Sequence, residues 1–175
     1  MLKTILIVIV VAIAALLGYA ATRPDSVRVE RSTVIKAPPE KIFAVLNDFH
    51  HWQTWSPYEK LDPGMKRTLS GAEKGTGAIY EWDGAGKAGA GRMEIIESAP
   101  ASKVKIKLDF SRPFEGHNTA EYTLVPQGDG TQLTWAMYGP APFLMKVMGT
   151  FVNLDTMIGK DFEEGLASLK ALAEK

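Results

Sequence analysis

Cysteine is absent from this chain of 175 residues, which excludes disulfide bonds, thiolate metal ligands and a cysteine nucleophile. Histidine is scarce: His50 and His51 are adjacent and point in different directions, while His117 stands alone. This spacing does not suit metal ligation, so we expect no metal site. Excess charge is also lacking, because 20 basic side chains balance 20 acidic ones. A broad electrostatic surface for nucleic acid is therefore not expected.

Motifs for nucleophilic or nucleotide chemistry are lacking too. Gly-x-Ser-x-Gly does not occur. Residues 84–89 match Gly-x-Gly-x-x-Gly, but a dinucleotide site needs a helix after this motif, whereas residues 92–97 have a strand-like pattern. Ala88 follows Lys87 where a phosphate-binding loop requires Ser or Thr. We interpret the segment as a glycine-rich hairpin, and we expect no cofactor.

Residues 1–22 are predicted to lie outside the folded domain. Residues 5–21 contain no charge and would form a helix of roughly 26 Å, close to the ~30 Å hydrocarbon core of a bilayer. The segment is either an uncleaved membrane anchor or a signal peptide, with Lys3 as its basic region and residues 18–20 as a small-x-small cleavage site. Its length favours the anchor, because the apolar region of a signal peptide usually spans about 7–15 residues.

The location of the domain follows from this choice. A retained anchor makes a single-pass membrane protein, in the inner membrane if the source is bacterial, whereas cleavage releases a secreted or periplasmic domain. The basic residues after the apolar run, such as Arg23 and Arg28, place the domain in the cytoplasm by the positive-inside rule. A signal-like start would export it instead, so both orientations stay open.

Residues 23–26 form a short linker, and residues 27–175 are predicted to form one α+β domain. Residues 27–36 alternate in polarity as a half-buried strand does, although Arg31 interrupts the apolar face. Pro39 then begins a short helix, and Pro57 limits a second one to about two turns. Six more strands are predicted, at residues 65–70, 78–83, 92–97, 103–110, 117–125 and 131–138.

Helical periodicity begins at Phe143 and continues to the C-terminus, with a break near Asn153. Short connections between consecutive strands indicate an antiparallel meander. A curved antiparallel sheet wrapped around one long helix buries both apolar faces. Such curvature tends to leave a cavity, which is a common place for a ligand.

The order of elements resembles the START-like superfamily, also called the SRPBCC or polyketide cyclase/dehydrase family, with the helix-grip fold of the birch pollen allergen. The resemblance covers residues 27–174 and is carried by residues 35–43, 52–57, 75–77, 80–82, 91–93, 130–135 and 165–170. It implies a cavity for a hydrophobic small molecule, since members include lipid carriers, hormone receptors and cyclases. It implies no particular catalytic residues, because one fold supports many chemistries.

Aromatic and methionine side chains are the candidate ligand-binding residues. They fall on elements that would wrap the long helix: Trp52, Trp55, Tyr80, Trp82, Met93, Phe110, Tyr122, Trp135, Met137, Phe143 and Phe151. They form either a solid core or an adaptable apolar pocket, and the family resemblance favours the pocket. Glu81 is a weak catalytic candidate, because it turns inward only if a bulge shifts the strand by one residue.

Three functions fit these patterns. The first is a membrane-tethered carrier or sensor of a lipid, isoprenoid or quinone. The second is a cyclase-like enzyme that uses Glu81, Tyr80 or Tyr122 as acid or base. The third is an interaction module that holds a protein partner through the sheet or residues 143–145.

Overall fold

The structure is a computed structural model of residues 1–175. It contains four α-helices and one seven-stranded sheet. The helices are α1 (Leu2–Ala21), α2 (Pro39–Leu46), α3 (Phe143–Met148) and α4 (Leu154–Ala173). The strands are β1 (Ser26–Ile35), β2 (Lys66–Gly71), β3 (Ala78–Asp83), β4 (Ala90–Ala99), β5 (Lys103–Arg112), β6 (Gly116–Gln127) and β7 (Gly130–Pro140). Three 3₁₀ segments complete the chain, at Phe49–Thr54, Pro57–Lys60 and Gly86–Ala88.

All neighbouring strands are antiparallel, in the order β1-β7-β6-β5-β4-β3-β2. Strands β2 to β7 form a meander, and β1 closes onto the last strand with Ser26 opposite Pro140. The curved sheet and its long C-terminal helix confirm the predicted α+β helix-grip fold. Residues 84–89 join two antiparallel strands, so the hairpin interpretation is also confirmed.

The break predicted near Asn153 is the boundary between α3 and α4. Asn153 caps α4, because its side-chain oxygen accepts a hydrogen bond from the Thr156 backbone N–H at 3.1 Å. The two helices then have different neighbours, since α4 packs against β1 whereas α3 contacts α1. The C-terminal region therefore connects the folded domain to the N-terminal helix.

The core lies between the concave face of the sheet and α4. Phe162 of α4 stacks on Trp135 of β7, with ring centroids 4.0 Å apart and planes inclined by 9°. Gly165 lies one turn further along α4, and a Cβ there would be 2.6 Å from the Trp135 ring and 3.0 Å from Pro57. The absence of a side chain at Gly165 therefore allows α4 to approach the sheet closely.

Arg31 interrupts the apolar face of β1 because it binds α4 rather than apolar side chains. Its guanidinium donates hydrogen bonds to Glu163 at 2.8 Å and to Asp155 at 3.1 Å. Gly159 makes room for it, because a Cβ at that position would overlap the guanidinium. Arg31 thus ties an edge strand to the helix that the sheet wraps.

We expect Gly165→Ala to lower the free energy of unfolding by about 1–3 kcal/mol, because the added methyl group overpacks the contact with Trp135. This loss should appear although Ala favours a helix by roughly 1 kcal/mol over Gly. Urea unfolding of the full chain, followed by circular dichroism, measures the change.

Gly64→Ala is the matched control, because a Cβ there meets only the Asp62 carboxylate, at 3.4 Å. Its stability should stay within about 0.5 kcal/mol of the unmodified protein. Equal stability of the Gly165→Ala protein would contradict the tight packing described for α4.

Candidate functional site

A chain of aromatic rings runs along the concave side of the sheet to α4. It contains, in spatial order, Phe110, Trp82, Tyr80, Phe49, Trp52, Trp55, Trp135 and Phe162. Successive ring centroids are 4.0 to 6.4 Å apart, mostly in tilted or edge-to-face geometry. Such contacts stabilise aromatic pairs beyond the burial of their area.

Local sequence explains how these rings come to share one side. Residues two apart on a strand face the same way, which places Tyr80 and Trp82 together on β3. The 3₁₀ segment Phe49–Thr54 begins at Asp48, whose carboxylate accepts the His50 N–H at 2.9 Å. The three-residue period of that segment brings Phe49 and Trp52 into edge contact, with centroids 5.1 Å apart.

Three polar atoms at the centre of this cluster are buried without a hydrogen-bond partner. They are Nε1 of Trp55, the Tyr122 hydroxyl and Nε1 of Trp135, which we call the polar trio. Their rings are neighbours, with centroids 5.2 to 6.2 Å apart. Buried polar groups are normally bonded, and leaving one unpaired costs about 1–3 kcal/mol.

The polar trio is equipped to donate hydrogen bonds to an oxygen atom. Indole N–H groups only donate, and a protonated phenol donates as well. Burial raises the pKa of Tyr122 well above its ordinary value, so its hydroxyl keeps the proton at neutral pH. The protein itself leaves this donor capacity unused.

One end of the concave face is less covered than the rest. Trp82, Met93, Phe110 and Met137 are half-buried there, at the end where β1 begins and β7 ends. Trp82 is fixed by its Nε1, which donates to the Ala88 carbonyl at 3.0 Å. Met137 lies two residues from Trp135 on the same strand face, so this open end leads towards the polar trio.

A partly buried charged cluster lies beside the aromatic chain. The Arg67 guanidinium of β2 donates to the Glu59 carboxylate at 2.7 Å, and the Tyr80 hydroxyl donates to the other Glu59 oxygen. Burial and the hydrogen bond to Glu59 raise the pKa of Tyr80, and the hydrogen bond that Arg67 donates to Glu59 raises the pKa of Arg67. The cluster therefore holds a proton on Tyr80 next to a carboxylate paired with Arg67.

Sequence reasoning missed Glu59 and Arg67, because they lie on different elements and share no motif with Tyr80. One signal was available. Arg67 faces inward beside Trp82 in the strand register, and a charged side chain on an inward face needs a partner.

The predicted ligand-binding residues fall into three groups. Those buried in the aromatic cluster are Trp52, Trp55, Tyr80, Tyr122 and Trp135. Those at the open end are Trp82, Met93, Phe110 and Met137. Phe143 and Phe151 are exposed on α3 and on the turn after it, outside the cluster. The role of all three groups in ligand binding stays a prediction.

Glu81 is exposed on the outer face of β3, because Tyr80 and Trp82 on either side of it face inward. There it borders a depression of about 380 Å³ together with Lys66 and Arg112. The register change that would turn Glu81 inward does not occur, since β3 pairs with both neighbours without a bulge.

Solved structures share this fold at low sequence identity. Protein CV1439 from Chromobacterium violaceum is 18% identical with a TM-score of 0.59, covering 87% of this chain and 99% of that one. The di-domain ARO/CYC StfQ from the steffimycin biosynthetic pathway is 14% identical with a TM-score of 0.63, covering 85% of this chain and 51% of that one. The major latex-like protein 151 from Panax ginseng is 12% identical with a TM-score of 0.60, covering 87% of this chain and all of that one (100%).

The sequence itself gives the family. No curated protein matches the chain at a significant level. The sequence profile of the family described as polyketide cyclase / dehydrase and lipid transport matches residues 26–174. This match covers the whole sheet and α4, and it confirms the resemblance predicted from the sequence motifs. The chain is therefore a member of the polyketide cyclase/dehydrase and lipid transport family, with the helix-grip fold of that superfamily.

Proposed function

We propose that this protein binds a hydrophobic small molecule that carries an oxygen atom, such as a lipid, an isoprenoid or a quinone. The ligand lies between the sheet and α4, and the protein acts as a carrier or sensor of it. The single observation that carries the proposal is the polar trio, three donor groups buried among aromatic rings with no partner in the protein. The family description, which includes lipid transport, supports the same ligand class.

The route to the trio is apolar and adaptable. Met93 and Met137 at the open end have flexible side chains that repack around different shapes. The rings behind them touch one another in the ligand-free protein, so a ligand enters by displacing rings rather than by filling an existing void. Its oxygen then accepts the hydrogen bonds that Trp55, Tyr122 and Trp135 do not make within the protein, which offsets part of the cost of separating the rings.

We further propose that residues 5–21 anchor the domain to a membrane. Helix α1 is long and apolar enough to cross a bilayer, and nearly all of its residues are exposed outside the folded domain. A signal sequence meets the same criteria. Retention of α1 is supported by its packing, because Ala20 at its C-terminal end is fully buried and α3 contacts the helix.

Intact-mass measurement of the protein purified from its source cells tests the anchor. We expect the membrane fraction to contain the full chain, beginning at Met1 or, after removal of the initiator methionine, at Leu2. A soluble protein whose mass lacks residues 1–20 would establish the signal peptide instead.

Tyr122→Phe separates the binding role of the trio from its effect on stability. The change removes one unpartnered hydroxyl, so we expect the ligand-free protein to become more stable by about 1 kcal/mol. We also expect menadione, a methylnaphthoquinone, to bind about three- to tenfold more weakly, because one hydrogen bond to its carbonyl oxygen is lost. Tryptophan fluorescence of the full chain in detergent follows both unfolding and menadione binding.

The matched ligand control is 2-methylnaphthalene, which has a similar shape but no oxygen. Its affinity should be the same for the unmodified and Tyr122→Phe proteins. Absence of saturable menadione binding, or equal menadione affinity in the two proteins, would contradict the proposed role of the trio.

An acid–base enzyme is the second candidate function, and the Glu59–Arg67–Tyr80 cluster favours it. The reaction that this pair can serve is loss of water from a hydroxylated ligand: Glu59 removes a proton from carbon, a carbon–carbon double bond forms, and the hydroxyl group leaves as water with the proton of Tyr80. Glu59 then returns its proton to Tyr80 along their hydrogen bond. The ARO/CYC protein StfQ, which shares the fold, belongs to a biosynthetic pathway. In this alternative Glu59 takes the acid–base role that the sequence suggested for Glu81.

Tyr80→Phe tests the enzyme hypothesis without breaking the partly buried ion pair between Glu59 and Arg67. We expect the variant to retain substrate from which water has not been removed. Native mass spectrometry of the variant isolated from cells should then show a ligand heavier by one water than the ligand on the unmodified protein. Glu81→Gln is the control and should carry the same ligand as the unmodified protein. Identical ligand masses in all three proteins would leave binding as the function.

A further inference from the structure

Large apolar side chains are concentrated on the surface of α3 and the segment that follows it. This surface, which we call the α3 patch, consists of Phe143, Leu144, Met148, Phe151, Val152 and Met157, exposed by 43% to 74%. Leu144, Met148 and Val152 are four residues apart and follow one face of the helical turns. A cluster of this kind on a soluble surface marks an interaction site.

The α3 patch carries no unbalanced charge. From Pro140 to Leu154 the only charged residue is Lys146, and its ammonium pairs with the Asp25 carboxylate. The Lys146 side chain is 9% exposed, with its aliphatic stem covered. The patch therefore contains no unpaired charge, but the Asp25 carboxylate of this pair is 97% exposed and has to stay in contact with water or lipid headgroups.

The position of the patch relative to α1 identifies its partner. Helix α1 ends at Ala21, and Asp25 lies just before β1. Asp25 makes two contacts with the region that contains α3. Its carboxylate pairs with the Lys146 ammonium, and its backbone carbonyl accepts a hydrogen bond from the Ala141 N–H at 2.8 Å. Since α3 also contacts α1 itself, the patch lies directly beside the end of the membrane-spanning helix.

We propose that the α3 patch docks into the interfacial layer of the same lipid bilayer that holds α1. This inference rests on the anchor proposed above and goes beyond it, because a flexible tether alone would leave α3 in water. The occupant is the bilayer rather than a protein, since α3 contacts α1 and since Asp25, four residues after the end of α1, is bonded to Lys146 and Ala141. Phe143, Leu144 and Phe151 supply the apolar contacts that such docking needs.

Docking also orients the ligand site. The open end with Trp82 and Phe110 is at the end of the sheet where β1 begins, which is the end joined to α1. The docked domain therefore turns this end towards the membrane. A hydrophobic ligand then passes between the bilayer and the concave face over a short distance.

The natural lack of cysteine makes site-specific spin labelling straightforward. Four single-cysteine variants of the full chain are labelled in single-occupancy phosphatidylcholine nanodiscs: Leu144→Cys and Phe151→Cys in the patch, Ile9→Cys in α1, and Asp129→Cys in the β6–β7 turn at the opposite end of the sheet. Power saturation compares collision with oxygen, which is enriched in lipid, and with a water-soluble nickel complex. We expect the labels at positions 144, 151 and 9 to be more accessible to oxygen than to the nickel complex. The label at position 129 should be more accessible to the nickel complex.

Each other outcome is decisive. A label at position 9 in lipid with positions 144 and 151 in water would overturn docking and leave the anchor standing. All labels in water would overturn the anchor, and docking with it, while the menadione measurement still decides ligand binding. Labels at 144 and 151 shielded from both reagents would show that protein covers the patch, which also overturns the proposal.

A charge-insertion pair provides the second test. With a spin label at Met157→Cys, the double change Leu144→Glu and Phe151→Glu should move that label from the oxygen-favouring to the nickel-favouring regime. Val125→Glu, at another exposed apolar position, on β6, should leave it unchanged. An unchanged label in the double variant would overturn the assignment of Leu144 and Phe151 as the docking residues.

Discussion

The stacked contact between Trp135 of β7 and Phe162 of α4 is the interaction on which the rest of the structure depends. It is the closest ring pair in the molecule, with centroids 4.0 Å apart, and it joins the centre of the concave face to the helix that the sheet wraps. Trp55 and Tyr122 pack against Trp135 in turn. Burial of rings of this size contributes roughly 1.5–3 kcal/mol each, so α4, the sheet and the 3₁₀ segments share one stabilising cluster.

The cluster also contains polar groups that the protein itself does not satisfy. Two of the tryptophans are satisfied within the protein, since Trp52 donates to the Leu46 carbonyl and Trp82 to the Ala88 carbonyl. Trp55 and Trp135 are buried, with 1% and 3% of their surface exposed, and their Nε1 groups donate to no protein atom. Proteins break the rule of satisfied polar groups mainly at functional sites, and here the exceptions are on neighbouring rings, those of Trp55, Tyr122 and Trp135. The same packing that forms the core therefore also forms the candidate binding site.

Charged residues on the concave side hold the two edges of the sheet. Arg31 on the edge strand β1 pairs with Asp155 and Glu163 of α4. Arg67 on the opposite edge strand β2 pairs with Glu59, which lies in the 3₁₀ segment before it. Each arginine lies on an apolar strand face. Its charge is tolerated there because it pairs with a carboxylate from another element. Ion pairs thus join the two edge strands to neighbouring elements, while aromatic rings join the centre of the sheet to α4.

The sequence by itself determined the strand and helix pattern, the break at Asn153, the glycine-rich hairpin and the apolar character of α1. These features depend on local periodicity, on helix capping and on the special conformations of Gly and Pro. Residues close together in the sequence determine all three. Only the tertiary structure decided that Glu59 meets Tyr80, that the donors of Trp55, Tyr122 and Trp135 lie unpaired together, and that α3 packs beside the end of α1. Those contacts join residues far apart in the chain, and their geometry depends on how the sheet curves around α4, which no local pattern specifies.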